Sequence, residues 1–286
     1  MIEKHFEGIF QLSDTHILPD GEVLINALYP TASVDTSTYF RQALKRICGL
    51  PQQPLALVLT GDLVEKPSRA AYQQFRQIIS TFERPFYLLL GNHDKRELFL
   101  DTFPEYLEHE WVSQTGFIQY LADIGDIRLL VLDSHTPGEH YGSLCPDRLA
   151  WLEQELCRDS TKPTIIALHH PPFKTGIAHM DECNLRVGHE AFQKIISKHP
   201  QVQRVICGHL HRLCMRSFGN TISTVCPSAA HQIAFQLTKE GRNAVTLEPA
   251  AGLMHIWPRK KAHNLEEFEI VSHVVSLGEF EGPYHF

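Results

Sequence analysis

Apolar and β-branched residues fall in short unbroken runs: Gly8 to Leu12, Leu55 to Leu59, Pro85 to Leu90, Ile127 to Leu132, Thr164 to Leu168 and Val202 to Cys207. A half-exposed strand alternates apolar and polar residues, so runs this continuous predict strands buried on both faces, as in a parallel sheet. The stretches between them change period. Thr38 to Cys48 presents Phe40, Leu44 and Ile47 on one helical face, follows the capping candidates Asp35 to Ser37, and stops at Gly49. Ser68 to Thr81 likewise aligns Ala71, Phe75, Ile78 and Ile79. Pro146 is placed to open a helix carrying Leu149, Leu152 and Leu156, and Gly188 precedes another that runs to about Lys198. Strands alternating with helices predict a layered α/β sandwich.

The pattern changes after Cys226. Ile233 to Leu237, the turn-prone Thr238 to Asn243, and Ala244 to Leu247 read as a hairpin, and Leu253 to Trp257 as a further apolar run. Phe268 to Leu277 alternates apolar and polar positions like an antiparallel edge strand. These changes divide the chain into a main part (1–226), an excursion holding the hairpin (227–262), and a closing strand and tail (263–286). An isolated hairpin is marginal in water, so the excursion predicts burial against a second copy, a homo-oligomer built near Gln232 to Leu247.

Chemistry concentrates where the strands end. Asp14-Thr15-His16, Gly61-Asp62, Gly91-Asn92-His93-Asp94, His169-His170-Pro171-Pro172 and Gly208-His209-Leu210-His211 each follow an apolar run. Strand carboxyl ends share one edge of an open α/β sheet, where ligands bind, so these groups converge on one crevice. Asp14 and His16 are two residues apart, as are His209 and His211, and each pair is spaced to turn toward one ion. Imidazole and oxygen donors without thiolate suit iron, manganese, zinc or cobalt rather than a magnesium or calcium cage. Two divalent metal ions held about 3.5 to 4 Å apart need a bridging carboxylate, and Asp62 is its natural source. Singly, each fragment reads more readily as a turn or cap than as a ligand; together, in order and each at a strand end, they read as one site.

Composition narrows the class. A chain of 286 residues with 43% hydrophobic content can fill one large core. No apolar stretch reaches membrane-spanning length, and Met1 to His5 lacks a signal-peptide layout. Seven cysteines without a C-x-x-C pair point to reduced thiols and a cytoplasmic protein. A formal charge of −7 argues against a grip on long nucleic acid, but permits a small anionic substrate held by metal. His5, His109, His199, His263 and His285 sit among polar residues and are expected at the surface, while Asp133-Ser134-His135 is expected to support the site from behind.

The ordered series D-x-H, G-D, G-N-H-D, H and G-H-x-H resembles the calcineurin-like metallophosphoesterase superfamily across nearly the whole chain. The resemblance implies a first metal on Asp14, His16, Asp62 and His211 and a second on Asp62, Asn92, His169 and His209, with His170 the alternative to His169. It implies that Asn92 and His93 contact the substrate phosphate, that His93 assists the leaving group, and that a hydroxide shared by the ions attacks phosphorus. His169-His170-Pro171-Pro172 followed by His179-Met180-Asp181, Asn184, Gly188-His189, and the later Ser223 to His231, are similar to the bacterial class III cyclic-nucleotide phosphodiesterase and glycerophosphodiesterase branch, whose catalytic domain, cap and closing strand the divisions 1–226, 227–262 and 263–286 also resemble, with Asn184 and His189 as candidate substrate contacts. Phosphoprotein phosphatases of the superfamily carry an Arg soon after the bridging Asp and a Glu after Gly-Asn-His, where this chain has Gly61-Asp62-Leu63-Val64-Glu65 and Asp94. A nuclease would need a Lys and Arg cluster that is missing, and a non-catalytic scaffold would be expected to have lost ligands. Hydrolysis of a small phosphodiester, a 3′,5′-cyclic nucleotide or glycerophosphodiester, is the implied activity; the alternatives are a broad phosphomonoesterase or nuclease of the same superfamily, or a non-catalytic scaffold.

Overall fold

The strand Phe6–Leu12 pairs in parallel with Ala56–Thr60 on one side and antiparallel with Ala251–Pro258 on the other. The computed structural model describes residues 6–25, 33–238, 244–259, 265, 268–282 and 284. The buried runs are distributed over two sheets rather than one. The first has the order Val271–Ser276, Ala251–Pro258, Phe6–Leu12, Ala56–Thr60, Phe86–Leu89. The second runs Cys214–Phe218, Thr221–Val225, Val202–Cys207, Thr164–Ala167, Ile127–Val131, Tyr120–Ile124.

Strand alternation explains the layering. Leu129, Val131, Ile165, Ala167 and Ile206 of the second sheet join the same core as Ile9, Leu57 and Leu59 of the first. Their neighbours Leu130, Ile166 and Val205 belong to a separate core with Leu152 and Leu156 of the helix Pro146–Arg158 and Phe192 and Ile196 of the helix His189–Lys198. Side chains on successive strand residues point to opposite faces, so one sheet serves two cores. The helices Thr36–Cys48 and Arg69–Ile79 pack on the first sheet. Their starts are fixed by Asp35 and Ser68, whose side chains accept the backbone N–H of Thr38 and Ala71.

Several expectations need adjustment. The excursion expected over 227–262 is interrupted, because Ala251–Pro258 hydrogen-bonds to Phe6–Leu12 and is an interior strand of the first sheet. The hairpin pairs Gln232 with Thr246 and Ile233 with Val245, and Ala234 N–H donates to Ala244 O, while 239–243 lie outside the described residues. Val271–Ser276 is the antiparallel edge strand its alternation predicts. Among the five expected surface histidines, His5, His263 and His285 lie outside the described residues. His109 is half-buried, its ring stacked 4.6 Å from Tyr120, and His199 is buried where it caps the helix His189–Lys198. The seven cysteines are unpaired. No helix among the described residues is long and apolar enough to cross a membrane.

Candidate metal centre

At the strand ends the two sheets are tied together by Gln11, whose amide donates to Thr60 Oγ1 at 3.0 Å and to the carbonyl of Cys207 at 2.9 Å. Just beyond it, the loop after Phe6–Leu12 runs beside the loop after Ala56–Thr60. Asp14 N–H donates to Gly61 O, His16 N–H to Asp62 O, and Glu65 N–H to Ile17 O. This zipper sets Asp14, His16 and Asp62 side by side, and the loop after Val202–Cys207 adds His211 to the group.

The backbone here is unusual. Among the described residues the non-glycine positions with positive φ are Asp14, His16, Asp62, His209 and His211, at 53°, 45°, 49°, 71° and 54°. Non-glycine residues seldom enter this region, and where they do the strain is held by surrounding structure, most often at functional sites. Gly61 contributes in another way. At φ 90° it brings the chain so near His169 that a Cβ there would lie 2.5 Å from the ring Nδ1.

Hydrogen bonds decide which ring nitrogens face inward. His16 Nδ1 lies 2.7 Å from Glu65 Oε2, His211 Nδ1 3.0 Å from His231 O, and His169 Nδ1 2.7 Å from Thr60 O. These oxygens only accept, so each Nδ1 carries a proton and each Nε2 is the nitrogen turned toward the cluster, free to ligate in the neutral ring. His16 Nε2 and His211 Nε2 then face each other at 3.0 Å, with Asp14 Oδ1 3.3 Å from the latter. His169 Nε2 sits 3.2 Å from Asn92 Oδ1 and 3.4 Å from Asp62 Oδ2, which is itself 3.7 Å from His16 Nε2. Ligand atoms converging on one another, with His209 Nε2 buried nearby and without a partner, make a donor set that fits cations. His169, His170 and His209 also lie within 4.8 Å of one another, but both ring nitrogens of His170 are engaged, Nδ1 with Ser134 Oγ at 2.8 Å and Nε2 with the His140 carbonyl at 3.2 Å.

The electrostatics match. Burial opposes charge at His169, but Asp62 and Asp14 overcome it and raise the ring to about 9, so at neutral pH Nε2 holds a proton against Asp62 that a cation bound there displaces. Burial also opposes the Asp14 carboxylate, yet His211 and His169 hold it down at about 2. Desolvation, reinforced by His169, keeps His209 neutral down to about 3. Asp94 is pushed up to about 7 by burial and by Asp62; it accepts from the N–H groups of Gly91 and Leu63 and from Tyr72 Oη, fixing the turn that carries Asn92 and His93.

A cleft of about 250 Å³ opens over this cluster, lined by His16, Asp62, Asn92, His93, His209 and His211 together with Glu65, His140, His231, Leu24, Met180 and Ile233. His93 is oriented by its N–H to Asp62 Oδ1 at 2.9 Å and by Nδ1–H to the Glu65 carbonyl at 2.8 Å. Asn184 and His189 are not brought to the cleft. Asn184 is buried and spends its amide on Phe173 O and Asp181 Oδ1, tying the loop together, and the His189 ring rests on Arg186 O at the start of its helix. Asp133 and Ser134 do stand behind the site, the first gripped by Arg96 at 2.7 Å through two nitrogens, the second on His170.

Glu65, His140 and His231 are site residues that the motifs alone do not single out. Glu65 had a signal: three positions after Asp62, in a loop running alongside His16. His231 had only its place at the end of the Ser223 to His231 likeness and His140 had none; a loop return and the approach to a two-residue strand bring them in.

Residues 8–213 match the calcineurin-like phosphoesterase family. The chain is 32% identical to a protein of Arcobacter nitrofigilis named as a probable glycerophosphodiester phosphodiesterase, GpdQ, with 97% of this chain and 96% of that one covered. It is 30% identical to a 3′,5′-cyclic-nucleotide phosphodiesterase of Nostoc, covering 83% and 84%. A dimetal phosphatase from Danio rerio has the same fold, with a TM-score of 0.64 at 15% identity over 93% of this chain and 98% of that one. The protein therefore belongs to the calcineurin-like phosphoesterase family and is a metal-dependent phosphoester hydrolase with its His and Asp cluster in place.

Proposed function

We propose that this protein hydrolyses small phosphodiesters with two divalent cations, one held by Asp14, His16, Asp62 and His211 and the other by Asp62, Asn92, His169 and His209. The observation carrying this reading is the Asp62 carboxylate, whose Oδ2 stands between His16 Nε2 at 3.7 Å and His169 Nε2 at 3.4 Å. Nitrogen and oxygen donors suit iron, manganese, zinc or cobalt. When bound, such ions supply positive charge to the phosphate oxygens and activate water near neutral pH.

The chain's own groups do the rest. Burial disfavours a proton on His93, but Asp62 and Glu65 outweigh it and raise the ring above its ordinary value. Its Nδ1 is engaged by the Glu65 carbonyl, so Nε2–H is the proton available to the departing oxygen. Leu24, Met180 and Ile233 give the alcohol part of the ester an apolar wall. The products are a phosphomonoester and an alcohol, or a nucleoside monophosphate when the diester is cyclic. The relatives' names, glycerophosphodiester and cyclic-nucleotide phosphodiesterases, support this substrate class. The unpaired thiols support a reducing, cytoplasmic setting.

The test is a side-by-side rate comparison on 3′,5′-cyclic AMP, a 2′,3′-cyclic nucleotide, glycerophosphoethanolamine and p-nitrophenyl phosphate, with metal content measured in the same sample. At least one diester should exceed the monoester in kcat/KM by about tenfold, a margin of about 1.4 kcal/mol in transition-state binding. Preference for the monoester, or full activity in metal-stripped protein, would overturn the reading.

A further inference from the structure

Arg212 directly follows the ligand candidate His211 but lies outside the lining of the cleft. Its guanidinium goes to the hairpin instead. Nη1 donates to the Ile233 carbonyl at 2.7 Å and pairs with Glu248 at 2.9 Å, one oxygen for each of its two N–H groups, and the guanidinium stands 5.6 Å over the Phe235 ring. The preceding residue makes a similar attachment, since His211 Nδ1–H donates to the His231 carbonyl at 3.0 Å. Two consecutive residues of the loop that carries the ligands therefore hold the first arm of the hairpin at His231 and Ile233, and both of those positions line the cleft.

The attachment matters because the hairpin's own ladder is short, with Gln232 paired to Thr246 and Ile233 to Val245. Two-stranded ribbons of that size are marginal by themselves. Ile233 packs against the second core, whereas Phe235, Leu237 and Leu247 on the rest of the hairpin are exposed. Arg212 joins the two arms, reaching Ile233 on the first and Glu248 two residues past the second strand, Val245–Thr246.

We propose that Arg212 is a positioning residue for substrate specificity: by fastening both arms of the hairpin to the ligand loop, it holds Ile233 as a fixed apolar wall against the alcohol part of the ester. The proposal rests on the reading of this protein as a phosphodiesterase. Without the clasp the wall recedes and apolar contact with the alcohol is lost. The phosphate end is untouched, because its partners are the cluster and His93 on the opposite side of the ester bond.

The experiment is steady-state kinetics of the full-length, metal-loaded protein on the diester that wild type hydrolyses best, with metal content and inhibition by inorganic phosphate measured on the same samples. Arg212→Met keeps the aliphatic stem and removes the donors. It should raise KM about fivefold, the scale of a small apolar contact, with kcat within about twofold of wild type. Metal content and the phosphate inhibition constant should stay at wild-type values, which a general loosening of the fold or of His211 would not allow. Ile233→Ala should raise KM by a similar factor, and adding Arg212→Met to it should change KM by less than about twofold, because Arg212 acts through Ile233. Unchanged KM in Arg212→Met, a parallel fall in kcat and metal content, weakened phosphate inhibition, or KM effects that multiply in the double variant would each overturn the proposal. Wild-type preference for the monoester would remove the phosphodiesterase reading instead, and that result appears before any variant is made.

Discussion

Asp62 touches both halves of the centre, while Asn92 meets only the His169 side. Asp62→Ala should therefore empty both metal positions and abolish activity, and Asn92→Ala should chiefly deplete one. Elemental analysis finding two ions retained in Asp62→Ala would sink the bridging role. His93 separates chemistry from coordination, because its contacts are to Asp62 Oδ1 and the Glu65 carbonyl through groups other than Nε2. His93→Ala should keep its metals and lose about 10²- to 10⁴-fold in turnover, the scale of general acid assistance. The loss should shrink for p-nitrophenyl esters, whose leaving group needs no proton. An equal loss on poor and good leaving groups would instead mark phosphate binding as the role of His93.

At the scale of elements, the helix Arg96–Thr102 is fastened to the second sheet by the Arg96–Asp133 pair, which also accepts Ile118 N–H. Burial would raise the Asp133 carboxyl, but Arg96 holds it below its ordinary value. A depressed folded-state pKa stabilises the protein above the unfolded value of about 3.9 and loses that contribution as pH falls through the folded value. Asp133→Asn should thus cost about 3 kcal/mol at neutral pH, with the gap from wild type closing below about pH 4 in urea denaturation. A gap that persists unchanged at pH 3 would assign the loss to packing. Elements of this kind were legible in the sequence wherever burial was continuous: Val202–Cys207 and Thr164–Ala167 stand where the apolar runs put them. The division into two sheets was not, because strands flanked by helices or by a second sheet carry the same apolar signature. The motifs that meet in the His and Asp cluster were legible because each is compact and terminal to a strand. Asn184 and His189 misled because residue polarity says nothing of whether a side chain spends its hydrogen bonds on its own loop. His140 and His231 reach the cleft through tertiary packing alone.

At the scale of the whole molecule, Phe235, Leu237 and Leu247 stand 68%, 54% and 49% exposed next to Ile233, which lines the cleft. Neighbouring exposed apolar side chains mark interaction surfaces, and we propose that a second copy covers them. Phe235→Asp combined with Leu237→Asp should convert an oligomer into monomers in sedimentation without loss of metal. Wild-type protein sedimenting as a monomer at micromolar concentration would refute this proposal and leave the hydrolase intact. The left-handed backbone at Asp14, His16, Asp62, His209 and His211 bears on the protein in a different way. Ligand positions that a glycine would occupy more comfortably mean that catalytic competence and thermal endurance pull against each other in this chain. In chelator-treated protein, His209→Gly removes both a strained residue and a buried nitrogen without a partner, and it should melt a few degrees higher than wild type by calorimetry. With metal restored the order should reverse, so that the most heat-resistant variants recovered from an unselective screen would be those that have given up the reaction.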